Sequence, residues 1–190
     1  MNTVAVLVEG YAKMTDTGWN ASSSACLIIT DSGLKIITDP GANRDLLLKK
    51  LEEIAVDPEE INYVFITHHH LDHAMNIALF PNAQVIDEEA LYTQAVAIEG
   101  VEAIPNTTIR VMKTPGHEYA HASLIVPTTE GTVIIAGDVF WWEESDEQKI
   151  DLNKKDDFAE KMEVLIDSRR KILEIADIII PGHGKKMRIK

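Results

Sequence analysis

Histidine and aspartate, two side chains that bind transition metals, are concentrated in one short stretch of this chain. Four of the seven histidines lie in the heptapeptide THHHLDH, directly after the apolar run YVFI. Such a run is typical of a short, fully buried strand. Because alternate residues of an extended chain project to the same side, His68 and His70 can point at one position. Asp72 and His73, at the start of a predicted helix, can approach that position from another side.

Three further metal-type side chains occupy matching places later in the chain. His117 follows a predicted strand through Thr-Pro-Gly, Asp138 follows one through a glycine, and His183 follows one through Pro-Gly. Glycine and proline punctuate turns, so these strand ends can deliver their side chains to one edge of a sheet. A set of histidines with a minority of carboxylates suits zinc, although manganese, iron and cobalt stay open.

The elements that must position these residues alternate between short β-rich runs and helical patterns. The predicted strands cover residues 4–8, 25–30, 34–38, 63–66, 84–87, 108–113, 122–126, 133–136 and 177–180. The predicted helices cover residues 43–54, 72–79, 88–96 and 156–175, and residues 11–24 are predicted to form a loop. This order indicates sheets in the middle and helices outside, in a single domain over residues 1–190.

Composition limits the kinds of partner that the chain can have. The 190 residues carry a formal net charge of -13, which disfavours a polynucleotide and an anionic membrane surface. A single cysteine, Cys26, precludes an intramolecular disulfide. The chain shows neither a signal-peptide pattern nor an apolar run near the roughly 20 residues of a membrane-spanning helix. We therefore expect a cytoplasmic protein with a small-molecule substrate, and a homo-oligomer stays open.

The chain resembles the metallo-β-lactamase superfamily in four motifs that occur in order: HxHxDH (68–73), TPGH (114–117), GD (137–138) and PGHG (181–184). The resemblance implies an α+β fold, an αββα four-layer sandwich with the metal site at one edge of two sheets. It assigns the first metal to His68, His70 and His117, the second to Asp72, His73 and His183, and a bridging position to Asp138. It also places Asp39 in support of these ligands, with capping of the following helix as an equal alternative.

The resemblance further implies a hydrolase with two divalent metal ions, zinc in the simplest case, with manganese or iron as alternatives. Two cations can share a hydroxide, because a bound cation lowers the pKa of water from about 15.7 to about 7. The bridging hydroxide would attack a small ester, thioester, lactone or phosphodiester. Asp72 is the natural group to orient the water and to pass its proton to the leaving group.

Two rival functions come from other classes of protein. One is a mononuclear iron dioxygenase of the same fold that acts on a persulfide and uses only His68, His117 and Asp138. The other is a noncatalytic metal-binding module. Metal stoichiometry, oxygen uptake and a panel of hydrolysable substrates separate the three.

Four side chains are candidates for the substrate pocket: Trp19, His121, Trp141 and Trp142. The tryptophan pair follows Asp138, where loops of the family wall the active-site groove, but core packing or a subunit contact fits equally. Trp19 belongs either to a flap over the site or to an ordinary surface turn. His121 follows His117 by four residues and could reach substrate, but a structural hydrogen bond is the favoured interpretation.

Overall fold

Two mixed β-sheets form the centre of the computed structural model, which describes residues 1–190. The strands are β1 (Thr3–Val8), β2 (Tyr11–Thr15), β3 (Gly18–Ser22), β4 (Ala25–Ile29), β5 (Lys35–Thr38), β6 (Tyr63–Phe65), β7 (Gln84–Ile86), β8 (Ala90–Thr93), β9 (Val96–Glu99), β10 (Arg110–Lys113), β11 (Ala122–Thr128), β12 (Gly131–Trp141), β13 (Ile178–His183) and β14 (Met187–Arg188). The α-helices are α1 (Arg44–Glu53), α2 (Leu71–Ala74) and α3 (Met162–Ile175), and two 3-10 turns cover Pro58–Glu60 and Ile77–Leu79.

The strands form one sheet of seven, in the order β1-β4-β5-β6-β7-β8-β9, and one of five, in the order β10-β11-β12-β13-β14. A separate hairpin joins β2 to β3. None of the helices has both the length and the apolar character needed to cross a bilayer.

Alternation along the strands divides the buried residues into three layers of apolar packing. Between the sheets, Ile36 of β5 and Ile135 of β12 belong to one shared cluster. Their neighbours point the other way: Ile37 packs in a cluster with α1, and Ile134 packs in a cluster with α3. Helix α1 contributes the buried side chains Leu47 and Leu51, and α3 contributes Leu165 and Ile172. The predicted αββα sandwich is therefore confirmed.

Parallel pairing brings the carboxyl ends of strands to one edge of each sheet. In the first sheet β5 runs parallel to β6, and in the second β12 runs parallel to β13. Two backbone hydrogen bonds join the sheets at this edge, from Ala122 N to the Thr67 carbonyl (2.8 Å) and from Ser24 N to the Gly182 carbonyl (2.7 Å). The turns that follow the four strands therefore meet.

Two segments differ in type from their prediction. Residues 11–24, expected to be a loop, form the β2–β3 hairpin, in which the two-residue turn Asp16-Thr17 is followed by Gly18 with φ of 133°. Residues 88–96, expected to be a helix, form most of the β8–β9 hairpin. The Asp87 carboxylate accepts hydrogen bonds from Glu89 N (2.8 Å) and Ala90 N (2.9 Å), so the chain reverses there and pairs with β7.

Two predicted helices are shorter than expected. The helix predicted over 72–79 consists of the single turn α2 and a 3-10 turn. The helix predicted to begin at Asp156 begins at Met162, because the preceding backbone is bound elsewhere. Glu160 N donates to the His117 carbonyl and Lys161 N donates to the Gly116 carbonyl, each at 3.0 Å.

Gly116 allows the turn before His117 to lie directly on α3. A Cβ at this position would be 2.2 Å from Leu165 N, and φ is +131°. We expect Gly116→Ala to lower the free energy of unfolding by about 3 kcal/mol, since it adds an overlap with helix backbone to an unfavourable φ. Gly100→Ala is the control, because φ is +75° there but a Cβ would meet nothing within 4 Å. Denaturant unfolding should show a loss of only about 1 kcal/mol for the control, and equal losses would contradict this prediction.

Candidate metal centre

All seven side chains proposed as metal ligands meet where the strand ends converge. They form two groups in which the potential ligand atoms lie within 4.8 Å of one another. The first group is His68, His70, His117 and Asp138, and the second is Asp72, His73 and His183. The structure therefore brings together residues that span more than half of the sequence, divided between two positions as the motifs imply.

Three ring nitrogens converge in the first group. His70 Nδ1 lies 3.0 Å from His68 Nε2 and 3.3 Å from His117 Nε2. Ligands placed tetrahedrally at about 2.0–2.1 Å from a zinc ion are about 3.3 Å apart. The spacing of these nitrogens is thus that of ligands around one small cation.

Asp138 connects the two groups through both of its carboxylate oxygens. Its Oδ2 lies 3.5 Å from His117 Nε2 and 3.6 Å from His183 Nε2, whereas its Oδ1 lies 3.3 Å from His73 Nε2. The second group is completed by Asp72, whose Oδ2 lies 3.2 Å from His183 Nε2. A carboxylate in this place can contribute one oxygen to each of two cations.

Two of these atoms are buried without a hydrogen-bond partner, namely His73 Nε2 and Asp138 Oδ1. They lie 3.3 Å apart, and a hydrogen bond between them would need a proton on Nε2. His73 instead donates a hydrogen bond from its other nitrogen, Nδ1, to Asp39 Oδ2 at 3.0 Å. With that proton on Nδ1, a neutral His73 ring presents a lone pair to an acceptor oxygen. Unpaired buried acceptors are costly, and a cation between them would satisfy both. The residues present therefore fit a metal.

Asp39 supports the ligands and does not cap the helix that follows it. Its Oδ1 accepts from Thr67 N and its Oδ2 accepts from Thr67 Oγ1, both at 2.8 Å. The cap of α1 is Asn43, whose side chain accepts from Leu46 N. Of the two expectations for Asp39, the geometry favours contact with the histidine cluster.

The other histidines are also held through the ring nitrogen that faces away from the cluster. Thr67 Oγ1 lies 3.1 Å from His68 Nδ1, and the Tyr11 carbonyl accepts from His183 Nδ1 at 3.0 Å. A carbonyl can only accept, so the proton of a neutral His183 ring lies on Nδ1. Fixing the remote nitrogen orients each ring and leaves the inward nitrogen free to bind a metal.

Sequence reasoning missed two carboxylates that hold histidines. Asp156 Oδ2 lies 2.8 Å from His117 Nδ1, and Glu118 Oε1 lies 3.2 Å from His70 Nε2. Glu118 could have been identified from the sequence, because it is an acidic residue directly after His117. Asp156 carried no such signal, because 39 positions separate it from its partner and its charge suited a helix start.

The electrostatics of the side chains alone favour positive charge at this position. Burial opposes ionisation of Asp138, but the charges of His183 and His73 hold its pKa well below the usual value. Burial likewise opposes protonation of His183, yet the charge of Asp138 raises its pKa to about 9. For His73, burial is outweighed by the charges of Asp138 and Asp39, which raise the pKa well above normal. A metal would have to displace these protons.

A cavity of about 480 Å³ opens onto both ligand groups. Its wall includes Trp19, Trp141 and Phe158, and its floor includes Asp72 and Asp138. The Trp19 and Phe158 rings meet edge to face with centroids 5.6 Å apart, and Trp19 and Trp141 do so at 6.3 Å. Two of the four candidate pocket residues, Trp19 and Trp141, thus lie in the cavity wall.

The other two candidate pocket residues do not line this cavity, so a pocket position is wrong for both. Their structural alternatives, a hydrogen bond for His121 and core packing for Trp142, agree with the structure. His121 is fully buried behind His68, with the two rings stacked at 5.1 Å, and its Nδ1 lies 2.9 Å from Thr114 Oγ1. Burial lowers the pKa of His121 to about 3. Trp142 packs in the apolar cluster beneath α3, stacked on Phe140. Trp141 is the last residue of β12 and Trp142 follows it directly, so alternation at the end of this strand explains why the two rings face opposite sides.

Comparison with known proteins defines the class of protein that this fold and site represent. The family model of the metallo-beta-lactamase superfamily matches residues 19–110. The metallo-beta-lactamase domain-containing protein 1 of Xenopus laevis is 35% identical over 99% of this chain and 82% of that protein. The chain therefore belongs to the metallo-β-lactamase superfamily.

More distant similarities agree with this assignment. A crystal structure of a Thermotoga maritima protein, 22% identical, has a TM-score of 0.74 and covers 98% of this chain and 99% of that one. An N-acyl homoserine lactonase of a Bacillus species is 27% identical over 56% of this chain and 49% of its own length. The first similarity shows a shared fold, and the second is partial.

Substitution of one histidine at a time tests whether the cluster binds metal. We expect His68→Ala to lose at least one equivalent of bound zinc, because His68 Nε2 faces the cluster. His69→Ala is the matched control, since its ring points outward to Asp87 Oδ2 at 3.0 Å. Elemental analysis of both variants and the parent, purified without chelators, gives the stoichiometry. Equal zinc contents in the two variants would contradict the assignment.

The raised pKa values also predict that the stability of protein stripped of metal by a chelator depends on pH. A histidine whose pKa is raised by folding stabilises the protein below its unfolded pKa of about 6.5, and this contribution disappears above the folded pKa. For His183 the folded pKa is about 9. We expect the free energy of unfolding of stripped protein to fall by about 2 kcal/mol between pH 6.5 and 9.

The zinc-reloaded protein is the control for this measurement, because metal-bound rings have already lost the proton in question. Its stability should not fall over the same range. A flat profile for the stripped protein, measured by urea unfolding at several pH values, would contradict the prediction.

Proposed function

We propose that this chain is a metal-dependent hydrolase with a dinuclear site, which binds zinc and cleaves a small ester, thioester, lactone or phosphodiester. The observation that carries the proposal is the convergence of seven histidine and aspartate side chains in two adjoining groups, and five of the seven line a cavity. The proposal goes beyond membership of the family, because that membership by itself leaves the reaction open.

Each side chain has a distinct part in this proposal. The first cation would be held by His68, His70 and His117, the second by Asp72, His73 and His183, with Asp138 shared between them. Bound divalent cations lower the pKa of water and take up negative charge that develops on the substrate oxygen. Manganese or iron could fill the same set of ligands, since histidine and carboxylate accept all three metals.

Asp72 is the side chain best placed to move a proton. It lines the cavity with 28% of its side chain exposed, and its Oδ2 is occupied by His183. Burial acts against ionisation, but the hydrogen bond from His183 lowers the pKa of Asp72 below its usual value. As a carboxylate it would orient a water molecule through Oδ1, accept its proton, and return that proton to the leaving-group oxygen or sulfur.

The cavity wall favours a substrate with an apolar portion and little negative charge. Eight of its thirteen residues are hydrophobic, and neither lysine nor arginine is among them. A phosphodiester would find no cationic side chain there, so acyl substrates are preferred within the proposed set. Trp19 and Trp141 would contact the apolar portion of the substrate. The partial similarity to an N-acyl homoserine lactonase supports the same preference.

The mononuclear dioxygenase alternative uses only His68, His117 and Asp138. It gives no role in metal binding to the second group, although His73 Nε2 of that group is buried without a hydrogen-bond partner and faces the equally unpaired Asp138 Oδ1. Two cations satisfy both groups, and this favours the hydrolase.

Activity measurements on purified protein test the proposal. We expect about two metal ions per chain and turnover of at least one ester, thioester or lactone, with activity lost on chelation and restored by zinc. Asp72→Asn should lower kcat by about 10²–10⁴-fold, since general acid–base catalysis contributes on that scale. One iron per chain with oxygen uptake would favour the dioxygenase. Two bound metals without turnover of any substrate would favour a noncatalytic module.

Variation of acyl chain length tests the contact between substrate and wall. Trp19→Ala should raise KM for long-chain acyl esters about 10-fold and leave acetyl esters unchanged, since it removes apolar contact from the distal part of the substrate. Met14→Ala is a control on the same hairpin, because Met14 pairs with Trp19 across the strands but does not line the cavity. An equal effect of both variants, or of Trp19→Ala on both esters, would contradict the assignment.

A further inference from the structure

The segment 152–161, which we call the strap, joins the long loop after β12 to the start of α3. Its first part is held by Arg169 of α3, a side chain that is only 2% exposed. Arg169 Nη1 donates to the carbonyls of Leu152 (2.9 Å) and Lys154 (2.6 Å), and its Nε donates to the Val139 carbonyl (3.0 Å). A buried guanidinium that serves three carbonyls fixes the backbone of the strap against the helix.

The same helix also fixes the turn that carries His117. Ser168 Oγ donates to the Pro115 carbonyl at 2.7 Å, and Gly116 lies against Leu165. The end of the strap closes on this turn through the hydrogen bonds from Glu160 N and Lys161 N. The turn and the strap are therefore separate segments that are attached to one rigid element.

Asp156 lies in the middle of the strap and connects it to the metal centre. Its carboxylate is fully buried, and its two oxygens contact different partners. Oδ2 lies 2.8 Å from His117 Nδ1, and Oδ1 accepts a hydrogen bond from Phe158 N at 2.9 Å. Phe158 in turn lines the cavity beside Trp19. A single side chain thus contacts both a proposed ligand and the backbone of the cavity wall.

We propose that Asp156 is a positioning residue that keeps the His117 proton on Nδ1, directs the Nε2 lone pair at the first cation, and fixes this ring relative to the cavity wall at Phe158. The inference rests on the proposed metal site. An ionised carboxylate can only accept, so the paired nitrogen must carry the proton. Carboxylates behind metal-bound imidazoles fix the tautomer and the orientation of the ring, and their loss lowers metal affinity about 10–100-fold.

Asp156→Asn tests this role with little change in shape. An asparagine can keep its oxygen toward Phe158 N, but its amide would then place a donor opposite His117 Nδ1. The ring would have to accept there and carry its proton on Nε2, where the metal should bind. We expect the affinity of one of two cobalt or zinc equivalents to fall 10–100-fold, with the other equivalent little changed.

Asp157→Asn is the matched control, because it removes the same charge one residue away. The Asp157 side chain is 73% exposed and forms an ion pair with the exposed Lys155. Metal affinity is measured by competition with a chromophoric chelator, and the visible spectrum of the cobalt-loaded protein reports the geometry of the occupied site. We expect the parent and Asp157→Asn to share one spectrum and Asp156→Asn to lose part of it.

The outcomes separate this inference from the proposed function. If the parent binds metal and Asp156→Asn binds both equivalents as tightly, the inference is overturned and the function stands. Equal weakening of metal affinity in Asp156→Asn and Asp157→Asn would indicate an effect of net charge alone, and it also overturns the inference. If the parent binds no metal, the inference and the function fall together.

Thermal unfolding of the chelated proteins distinguishes positioning from a general loss of fold. Asp156→Asn should remain folded without metal, and its loss of metal affinity should concern only one of the two metal equivalents. If it does not fold, Asp156→Glu restores the acceptor. A folded Asp156→Glu protein that binds two equivalents supports the role, and one that binds a single equivalent overturns it.

Discussion

The buried carboxylate of Asp138 is the constraint on which the rest of the structure depends. An isolated charge away from water costs many kcal/mol, so it persists in a fold only when positive partners surround it. Here both oxygens face imidazole nitrogens, and the remote nitrogens of those rings are bound in turn to Asp39, Asp156 or a backbone carbonyl. Negative charge therefore lies on both sides of the histidines. In the absence of a metal this arrangement favours protonation of the histidines, and the same negative charge suits divalent cations.

The fold provides this arrangement because strand ends from two sheets are close together at one edge. Parallel pairs supply the ends, and the backbone hydrogen bonds at Thr67 and Gly182 hold the sheets together there. The short turn after β6 and the irregular pairing of β12 with β13 around Gly137, next to Asp138, leave the side chains there little freedom. The ligands are thus positioned by rigid elements, whereas the supporting carboxylates come from both neighbouring and distant segments.

The sequence predicted the cluster well because its residue types are rare and its turns are marked. Four histidines after an apolar run, and single ligands after Pro or Gly, have few other interpretations. Asp156 could not be predicted, since its contact with His117 depends on how the strap folds over α3. The predictions for residues 11–24 and 88–96 were wrong for a related reason. Their local patterns are weak, and their pairing as hairpins depends on the two-residue turn before Gly18 and on the carboxylate of Asp87.

The segments that were hardest to predict are those that shape the cavity. Trp19 comes from the β2–β3 hairpin and Phe158 from the strap. The ligands come from the turns after β6 and β10, from α2, and from the last parts of β12 and β13. The metal centre needs fixed distances of a few ångströms and therefore uses elements with strong local signals. An apolar wall needs only surface of suitable size, which many sequences can supply. In the proposed hydrolase the ligand set would therefore determine the reaction, whereas the hairpin and the strap would contact the substrate, with Asp156 as the point where the strap contacts a proposed ligand.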